Sequence, residues 1–156
     1  MKITILAIGK KHDAKFLAAI EDYSKRLTHY TNFEWKLVEQ KLTSSMSENE
    51  IRTAESELLL ATLENGTIVI LLDEAGAKLH SLQLAQRIQA YMNQGIKQIT
   101  FVIGGAYGVS DEFKKRSDFT LSLSDLVFPH QLVRLILAEQ LYRAHTIIAG
   151  EKYHHA

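Results

Sequence analysis

The sequence predicts an α/β fold in which a parallel sheet carries helices on both faces. Short apolar runs, many rich in β-branched residues, alternate with amphipathic stretches of helical length along all 156 residues. Several of these runs are apolar throughout, which is typical of strands buried on both faces rather than on one. Because no linker, repeat or low-complexity segment interrupts the alternation, we expect one domain over residues 1–156.

The first third of the chain predicts a strand, a helix and a second strand. Lys2–Ile8 is rich in β-branched residues and predicts a buried strand. Asp13 is a suitable N-cap for a helix that ends near Tyr30. Residues 33–37 alternate apolar and charged side chains, which predicts a half-exposed strand toward an edge of the sheet.

The middle of the chain predicts two helices, each followed by a buried strand. Residues 47–50 form a capping-box pattern that opens a helix ending at Asn65-Gly66. Residues 67–72 predict a buried strand, and residues 73–76 a polar turn after it. An apolar stripe from Leu82 to Met92 predicts a helix that stops at Gly95, and Gln98–Ile103 predicts the next buried strand.

The last quarter predicts a short helix, a strand and a long closing helix. Ser110 caps the short helix, and residues 119–123 predict the last strand. Pro129, the single proline of the chain, suits the first position of a helix that runs to about Ala149. Apolar residues go almost all the way round this helix, so we expect a second subunit to cover part of it.

Composition excludes several functional classes. Lys plus Arg and Asp plus Glu balance at 18 each, so no global field draws the protein to nucleic acid or anionic lipid. The chain has no cysteine, which excludes disulfides and thiolate chemistry. The apolar N-terminal run is too short for a signal peptide or a membrane span, and we expect a cytoplasmic location. The histidines are scattered without metal-binding spacing, so we expect no metal.

Three loops that follow strands are candidates for a ligand site, since ligands of parallel sheets bind beyond the carboxyl ends of the strands. These loops are residues 72–74, 104–108 and 122–129, and we expect them to converge on one pocket. The diglycine Gly104-Gly105 fits a close approach to a ligand and a simple chain turn equally well. Dinucleotide, P-loop and serine-hydrolase fingerprints are absent, which argues against those enzymes.

The closing helix carries titratable residues within an apolar pattern. Glu139 and Arg143 lie four residues apart and therefore side by side, and this spacing alone favours a structural ion pair over a functional one. His130 lies near the N-terminus of the helix, where the helix dipole disfavours its protonated form. From the pattern alone, His130 is better interpreted as a capping or packing residue than as a catalytic one.

Together these segments resemble the ribosomal RNA large subunit methyltransferase H family, within the SPOUT class of α/β-knot methyltransferases. The likeness covers the whole chain, and the combination of motifs in this order and spacing is highly specific. The motifs are residues 101–105 with Gly108, residues 122–124 with Pro129-His130, residues 139–144, and Gly150-x-x-Tyr-His154.

The resemblance implies a fold detail and a reaction that periodicity does not provide. It implies a C-terminal trefoil knot, a rare exception to the rule against knotted chains. It also implies S-adenosylmethionine bound in a bent conformation by the knotted loops, and a homodimer whose interface completes the site. Family members methylate N3 of a pseudouridine in 23S rRNA of the large subunit, and they act on the assembled ribosome. The neutral net charge is compatible with this substrate, because contacts to a shaped partner can replace a broad basic surface.

Carried over residue by residue, the resemblance assigns both a cofactor set and a catalytic set. The cofactor-binding positions are Leu72, Gly104, Leu123, Ser124, Asp125, Leu126, Val127 and Phe128. The catalytic positions are His130, Glu139, Arg143, Tyr153 and His154.

The roles within the catalytic set are expectations. His130 and His154 are assigned to substrate placement or proton removal, and Arg143 to contact with a phosphate or base. Glu139 is assigned to orienting Arg143. Many family members have Arg or Lys where this chain has His155, and a histidine carries positive charge only when it is protonated.

Two other interpretations stay open at this level. One is a knotted methyltransferase that acts on free tRNA, which needs its own RNA-binding surface. The other is a non-catalytic α/β dimer that binds a nucleotide-like ligand.

Overall fold

Five strands, each parallel to its neighbours, form one sheet in the order β2-β1-β4-β3-β5. The computed structural model describes residues 1–155. The strands are β1 (Lys2–Ile8), β2 (Asn32–Val38), β3 (Ile68–Lys78), β4 (Gln98–Ile103) and β5 (Phe119–Ser122). The helices are α1 (Ala14–Leu27), α2 (Glu48–Thr62), α3 (Ser81–Asn93), α4 (Asp111–Arg116) and α5 (His130–Ile148). The predicted α/β class with an all-parallel sheet is confirmed.

The sheet has an apolar core on each face, because alternate residues of its central strands point to opposite sides. Helices α1, α3 and α5 cover one face and bury Leu27, Ile88 and Leu141 against β1 and β4. Helices α2 and α4 cover the other face, where Leu59 and Phe113 pack on β1, β3 and β4. Strand β2 pairs only with β1 and lies at an edge, as its alternating pattern predicts.

Strand β3 is longer than predicted. The predicted polar turn at residues 73–76 is wrong, because β3 continues to Lys78 and pairs with β5 again after a register shift between Leu72 and Ala77. Gly76 permits this pairing, since a Cβ atom there would lie 2.7 Å from the carbonyl of Thr120. The polar side chains of this stretch are tolerated because most of it is exposed beyond the core.

The caps predicted for three helices are confirmed, and three helix boundaries differ, among them the end of α2, which lies at Thr62 rather than at Asn65-Gly66. Asp13, Ser47 and Ser110 each accept a hydrogen bond from a backbone N–H of the first turn. Helix α1 ends at Leu27 rather than near Tyr30. Pro129 is the N-cap of α5 rather than its first residue, because its ψ of 146° is extended.

Helix α5 lies between α1 and α3 and contacts both. None of the helices within residues 1–155 has the combination of length and apolar character that is needed to cross a bilayer.

Candidate active site

Residues 72–74, which lie within β3, and the loops that follow β4 and β5 enclose a cavity of about 350 Å³. This volume is within the range of small-molecule sites. The lining is mostly apolar, with backbone from the glycine-rich loop and few charged groups. It consists of residues 71–74, 103–106, Gly108, Val109, residues 121–124, residues 126–128, His130 and Val133.

Seven of the eight predicted cofactor positions line this cavity. They are Leu72, Gly104, Leu123, Ser124, Leu126, Val127 and Phe128. Asp125 is not part of the lining, and its carboxylate instead forms an exposed ion pair with Lys78. Leu126 and Val127 are 72% and 80% exposed, which is unusual for large apolar side chains and fits a loop that a ligand or a second subunit covers.

The loop after β5 is shaped by its two serines. The hydroxyl of Ser122 donates to the backbone carbonyl of Ser124 over 3.0 Å. The hydroxyl of Ser124 accepts from the backbone N–H of Leu126 over 2.9 Å. These short-range bonds turn the chain back on itself and leave apolar side chains to line the cavity.

The loop after β4 is a tight turn held by helix α2. The Gly108 N–H donates to the Gly105 carbonyl over 3.0 Å. Arg52 of α2 donates through Nε to the Tyr107 carbonyl over 2.8 Å. On the same helix, the Ser56 hydroxyl accepts from the Ser110 N–H over 2.8 Å. The backbone of this loop is therefore fixed against α2 on one side and open to the cavity on the other.

His130 lies at the start of α5 and lines the cavity. Burial lowers the pKa of its imidazole, the Arg134 guanidinium lowers it further, and a weaker interaction with the Gly105 backbone acts in the opposite direction. The neutral ring is therefore favoured, as expected from the helix N-terminus, but burial and a nearby cation are the causes.

Arg134 is a feature that the sequence interpretation missed. Its side chain is 1% exposed, and it donates from Nη2 to the Ile8 carbonyl at 3.0 Å and from Nη1 to the Lys11 carbonyl at 3.1 Å. It thereby ties the end of β1 to α5, one turn after His130. The available signal was its position on the buried stripe of α5, which includes Leu137, Ala138 and Leu141.

The other four predicted catalytic residues form a separate cluster near the end of α5. Arg143 donates to Glu139 Oε1 from Nη2 at 2.6 Å and from Nε at 3.0 Å. Tyr153 donates its hydroxyl to the same oxygen at 3.2 Å. The Nδ1 atom of His154 lies 3.3 Å from Arg143 Nη1, so Nδ1 is the acceptor in this contact.

The tail residues Tyr153 and His154 pack against α5, although chain termini are disordered by default. The ring of Tyr153 lies edge-on to that of Tyr142, with centroids 4.7 Å apart, and Arg143 lies over it at 4.7 Å. His155 is exposed, and Ala156 lies outside the described residues.

The structure thus divides the predicted catalytic set into two groups. Glu139 and Arg143 follow His130 by nine and thirteen residues on one continuous helix. At 1.5 Å per residue, these separations correspond to about 13 and 20 Å along the axis. Within one chain, the Glu139 cluster therefore does not reach the cavity that His130 lines. Across residues 1–155, no three His, Asp or Glu side chains are grouped so that they could hold a metal ion.

Comparisons with known proteins relate this arrangement to one family. A family model described as a predicted SPOUT methyltransferase matches residues 1–154. Relatives named "Ribosomal RNA large subunit methyltransferase H" include one from Christiangramia forsetii at 45% identity and one from Acetivibrio thermocellus at 43%. Each of these alignments covers 99% of both chains. A solved probable methylase family protein from Haemophilus influenzae, 14% identical, superposes with a TM-score of 0.57 over 99% of this chain and 70% of that one. This structural likeness supports the fold alone.

Proposed function

The chain belongs to the SPOUT methyltransferase family, and from this premise we propose that it is an S-adenosylmethionine-dependent methyltransferase of large-subunit ribosomal RNA. The acceptor is N3 of a pseudouridine in 23S rRNA, and the substrate is the assembled ribosome. The names of the related proteins support the rRNA substrate. The pseudouridine and the assembled ribosome follow from the resemblance of the motifs.

The observation that carries the proposal is the convergence of residues 72–74 of β3 and the loops after β4 and β5 on one cavity. The cavity lies beyond the carboxyl ends of the parallel strands β4 and β5, where such folds bind ligands. Leu72, Leu123 and Phe128 offer apolar contacts for an adenine ring, and the glycine-rich loop offers backbone polar groups. Asp73 and Glu74 add negative charge, which suits a ligand that carries a sulfonium. The residues present therefore fit the proposed cofactor, which supplies an electrophilic methyl group when bound.

Methyl transfer needs an acceptor nitrogen that lies in line with the methyl group and has lost its proton. His130 is the candidate base, because it lines the cavity and its lowered pKa keeps a ring nitrogen free to accept. Arg143 is the candidate contact to the RNA, and Glu139 holds its guanidinium in a fixed direction. Tyr153 and His154 complete the surface that receives the nucleotide.

A homodimer explains how the two groups of residues act together. The distance along α5 keeps the Glu139 cluster away from the cavity of its own chain, so a partner's cluster would complete each site. The exposed Leu126 and Val127 are part of the loop that such an interface would cover. The trefoil knot stays a prediction of the family resemblance, and a cytoplasmic location follows from the ribosomal substrate.

The substrate is tested by incubating the protein and methyl-labelled cofactor with assembled ribosomes, free large subunits and bulk tRNA. We expect label in the 23S rRNA of assembled ribosomes, and digestion to nucleosides should give N3-methylated pseudouridine. Label that appears only in tRNA would instead support the tRNA interpretation. Absence of cofactor binding by a folded protein would support the non-catalytic one.

Complementation tests the shared site. A His130→Ala chain and a chain truncated before Tyr153 are each expected to be nearly inactive alone. If each site combines both subunits, mixed dimers contain one intact site. Random exchange of subunits makes about half of the dimers mixed, and each mixed dimer has one intact site of two. About a quarter of the activity of the unmodified protein should therefore return. No recovery in verified mixed dimers would place both groups in the same chain's site.

A further inference from the structure

Glu55 of α2 is a buried carboxyl group for which the site described so far has no use. It is 5% exposed, and its Oε1 atom has no hydrogen-bond partner among residues 1–155. Burial raises the pKa of this carboxyl group. An unpaired acid in such a position destabilises a fold, so packing alone does not explain its presence. The sequence already places Glu55 on the apolar face of this helix, since Ile51, Glu55 and Leu59 are spaced four residues apart.

The carboxyl group of Glu55 lies directly behind the wall of the cavity. A Cβ atom built on Gly105 would lie 2.1 Å from Glu55 Oε1 and 2.8 Å from its Cδ. Gly105 itself lines the cavity, so the carboxyl group lies against a backbone segment that also borders the ligand space. This close approach explains why the second residue of the diglycine carries no side chain.

The position of Glu55 is fixed on both sides along α2. Arg52, one turn before it, holds the Tyr107 carbonyl, and Ser56, the next residue, holds the Ser110 N–H. The helix and the loop are therefore tied together at 2.8 Å contacts on each side of the carboxyl group. Burial by itself favours the neutral acid, but a cation bound in the cavity favours the ionised form of Glu55 in turn. A carboxylate held at a fixed place in a region of low dielectric constant then acts strongly on its surroundings.

The charged side chains at the cavity wall have mostly one sign. Asp73 and Glu74 line it, and the sole basic lining group within residues 1–155 is His130, whose neutral form is favoured. The cavity therefore favours a cationic ligand. Of the two forms that a methyl donor takes in the proposed reaction, the sulfonium carries one more positive charge than the thioether left after transfer.

We propose that Glu55 determines the charge specificity of this site: through the Gly105 backbone, its carboxylate favours the sulfonium donor over the neutral thioether product. The inference rests on the proposed function, because it takes S-adenosylmethionine as the ligand. It adds a residue from outside the lining and assigns that residue to cofactor exchange after each transfer. Glu55 is a positioned charge rather than a catalytic residue.

Calorimetry with S-adenosylmethionine and S-adenosylhomocysteine tests the inference on the full chain. In Glu55→Gln, the affinity for the sulfonium ligand should fall on the order of tenfold, the scale of one charge about 12 Å away at an effective dielectric constant near 20. Affinity for the thioether should change less than about twofold, because the thioether lacks the positive charge that interacts with the Glu55 carboxylate. Glu57→Gln is the matched control, since Glu57 is exposed two residues further along the same helix.

Each outcome has a defined meaning. An equal loss for both ligands, or an unchanged ratio, would assign Glu55 a structural role and overturn the inference. Failure of the unmodified protein to bind either ligand would instead overturn the proposed function. Glu55→Asp keeps the charge, so its ratio of affinities should stay close to that of the unmodified protein. A ratio as low as that of Glu55→Gln would contradict the inference.

A stability measurement keeps the test independent of folding defects. Because Glu55→Gln removes an unpaired buried carboxyl group, its melting temperature should be unchanged or higher. A variant that loses selectivity while gaining stability separates the role in binding from a role in the fold. A lower melting temperature together with loss of both ligands would indicate the structural role.

Discussion

Arg143 and Glu139 form an ion pair one helical turn apart on α5, in which Nη2 lies 2.6 Å from Oε1. Both side chains are largely shielded, with 25% and 17% exposed. The same carboxylate oxygen accepts from Tyr153, so the pair connects the helix to the tail. Arg26 and Asp22 on α1 form an ion pair with the same spacing, but these side chains are 47% and 55% exposed. Exposed ion pairs contribute little to stability, so this pair serves as a comparison for the shielded one.

Glu139→Gln should lower turnover while leaving cofactor affinity unchanged. The substitution removes the charge that fixes Arg143, and hydrogen bonds to charged groups contribute about 1.5–3 kcal/mol, which corresponds to roughly 10- to 100-fold. Single-turnover methylation of ribosomes and calorimetry with the cofactor measure the two quantities. Asp22→Asn, which breaks the exposed pair, is the control and should leave both unchanged. Unchanged turnover in Glu139→Gln would show that the ion pair has a purely structural role.

His130→Ala should lower turnover more than cofactor affinity and should change the pH dependence. The pKa of His130 lies below its ordinary value, so the neutral base is present at neutral pH and is lost as the pH falls through that lowered pKa. The kcat/KM of the unmodified enzyme should therefore fall as the solution becomes acidic, and the pH profile of the variant should lack this fall. His29→Ala, at an exposed position, is the control. A variant that loses only cofactor affinity would instead assign His130 to the cofactor.

Tyr153→Phe should weaken methylation with cofactor binding intact. The change removes the hydroxyl that donates to Glu139 at 3.2 Å while it keeps the ring contact with Tyr142. We expect a loss of about 5- to 10-fold in kcat/KM, the scale of one hydrogen bond. Tyr30→Phe removes a similar bond to the exposed Glu151 and should have little effect. Equal effects of the two substitutions would show that the tail contact is not specific to the site.

His145 should make the fold less stable in mild acid. It is 2% exposed, its Nδ1 atom lies 2.7 Å from the Leu141 carbonyl, and burial lowers its pKa. As the pH falls below the unfolded value of about 6.5, the unfolded state takes up a proton that the folded state resists, so stability declines. The contribution approaches about 1.4 kcal/mol per pH unit for one proton.

Denaturant unfolding between pH 7.5 and 5 measures this decline. His145→Gln should reduce the pH dependence of the free energy of unfolding, whereas His29→Gln at an exposed site should not. His12 and His130 also have lowered pKa values and should account for part of the remaining slope. An unchanged slope in His145→Gln would show that His145 is not among the groups that resist protonation.

The sequence by itself determined the α/β class, the parallel sheet and the helix caps, because these depend on local periodicity and on hydrogen bonds between residues close in the chain. It also grouped the three segments that line the cavity, since parallel strands share their carboxyl edge, although residues 72–74 lie within β3. Only the tertiary structure decided that β3 passes its predicted turn to pair with β5, and that Asp125 faces Lys78 rather than the cavity. It likewise separated His130 from the Glu139 cluster and buried Glu55 and Arg134 beside the site loops. These features arise from contacts between residues far apart in sequence, and local patterns do not encode the energy of such contacts.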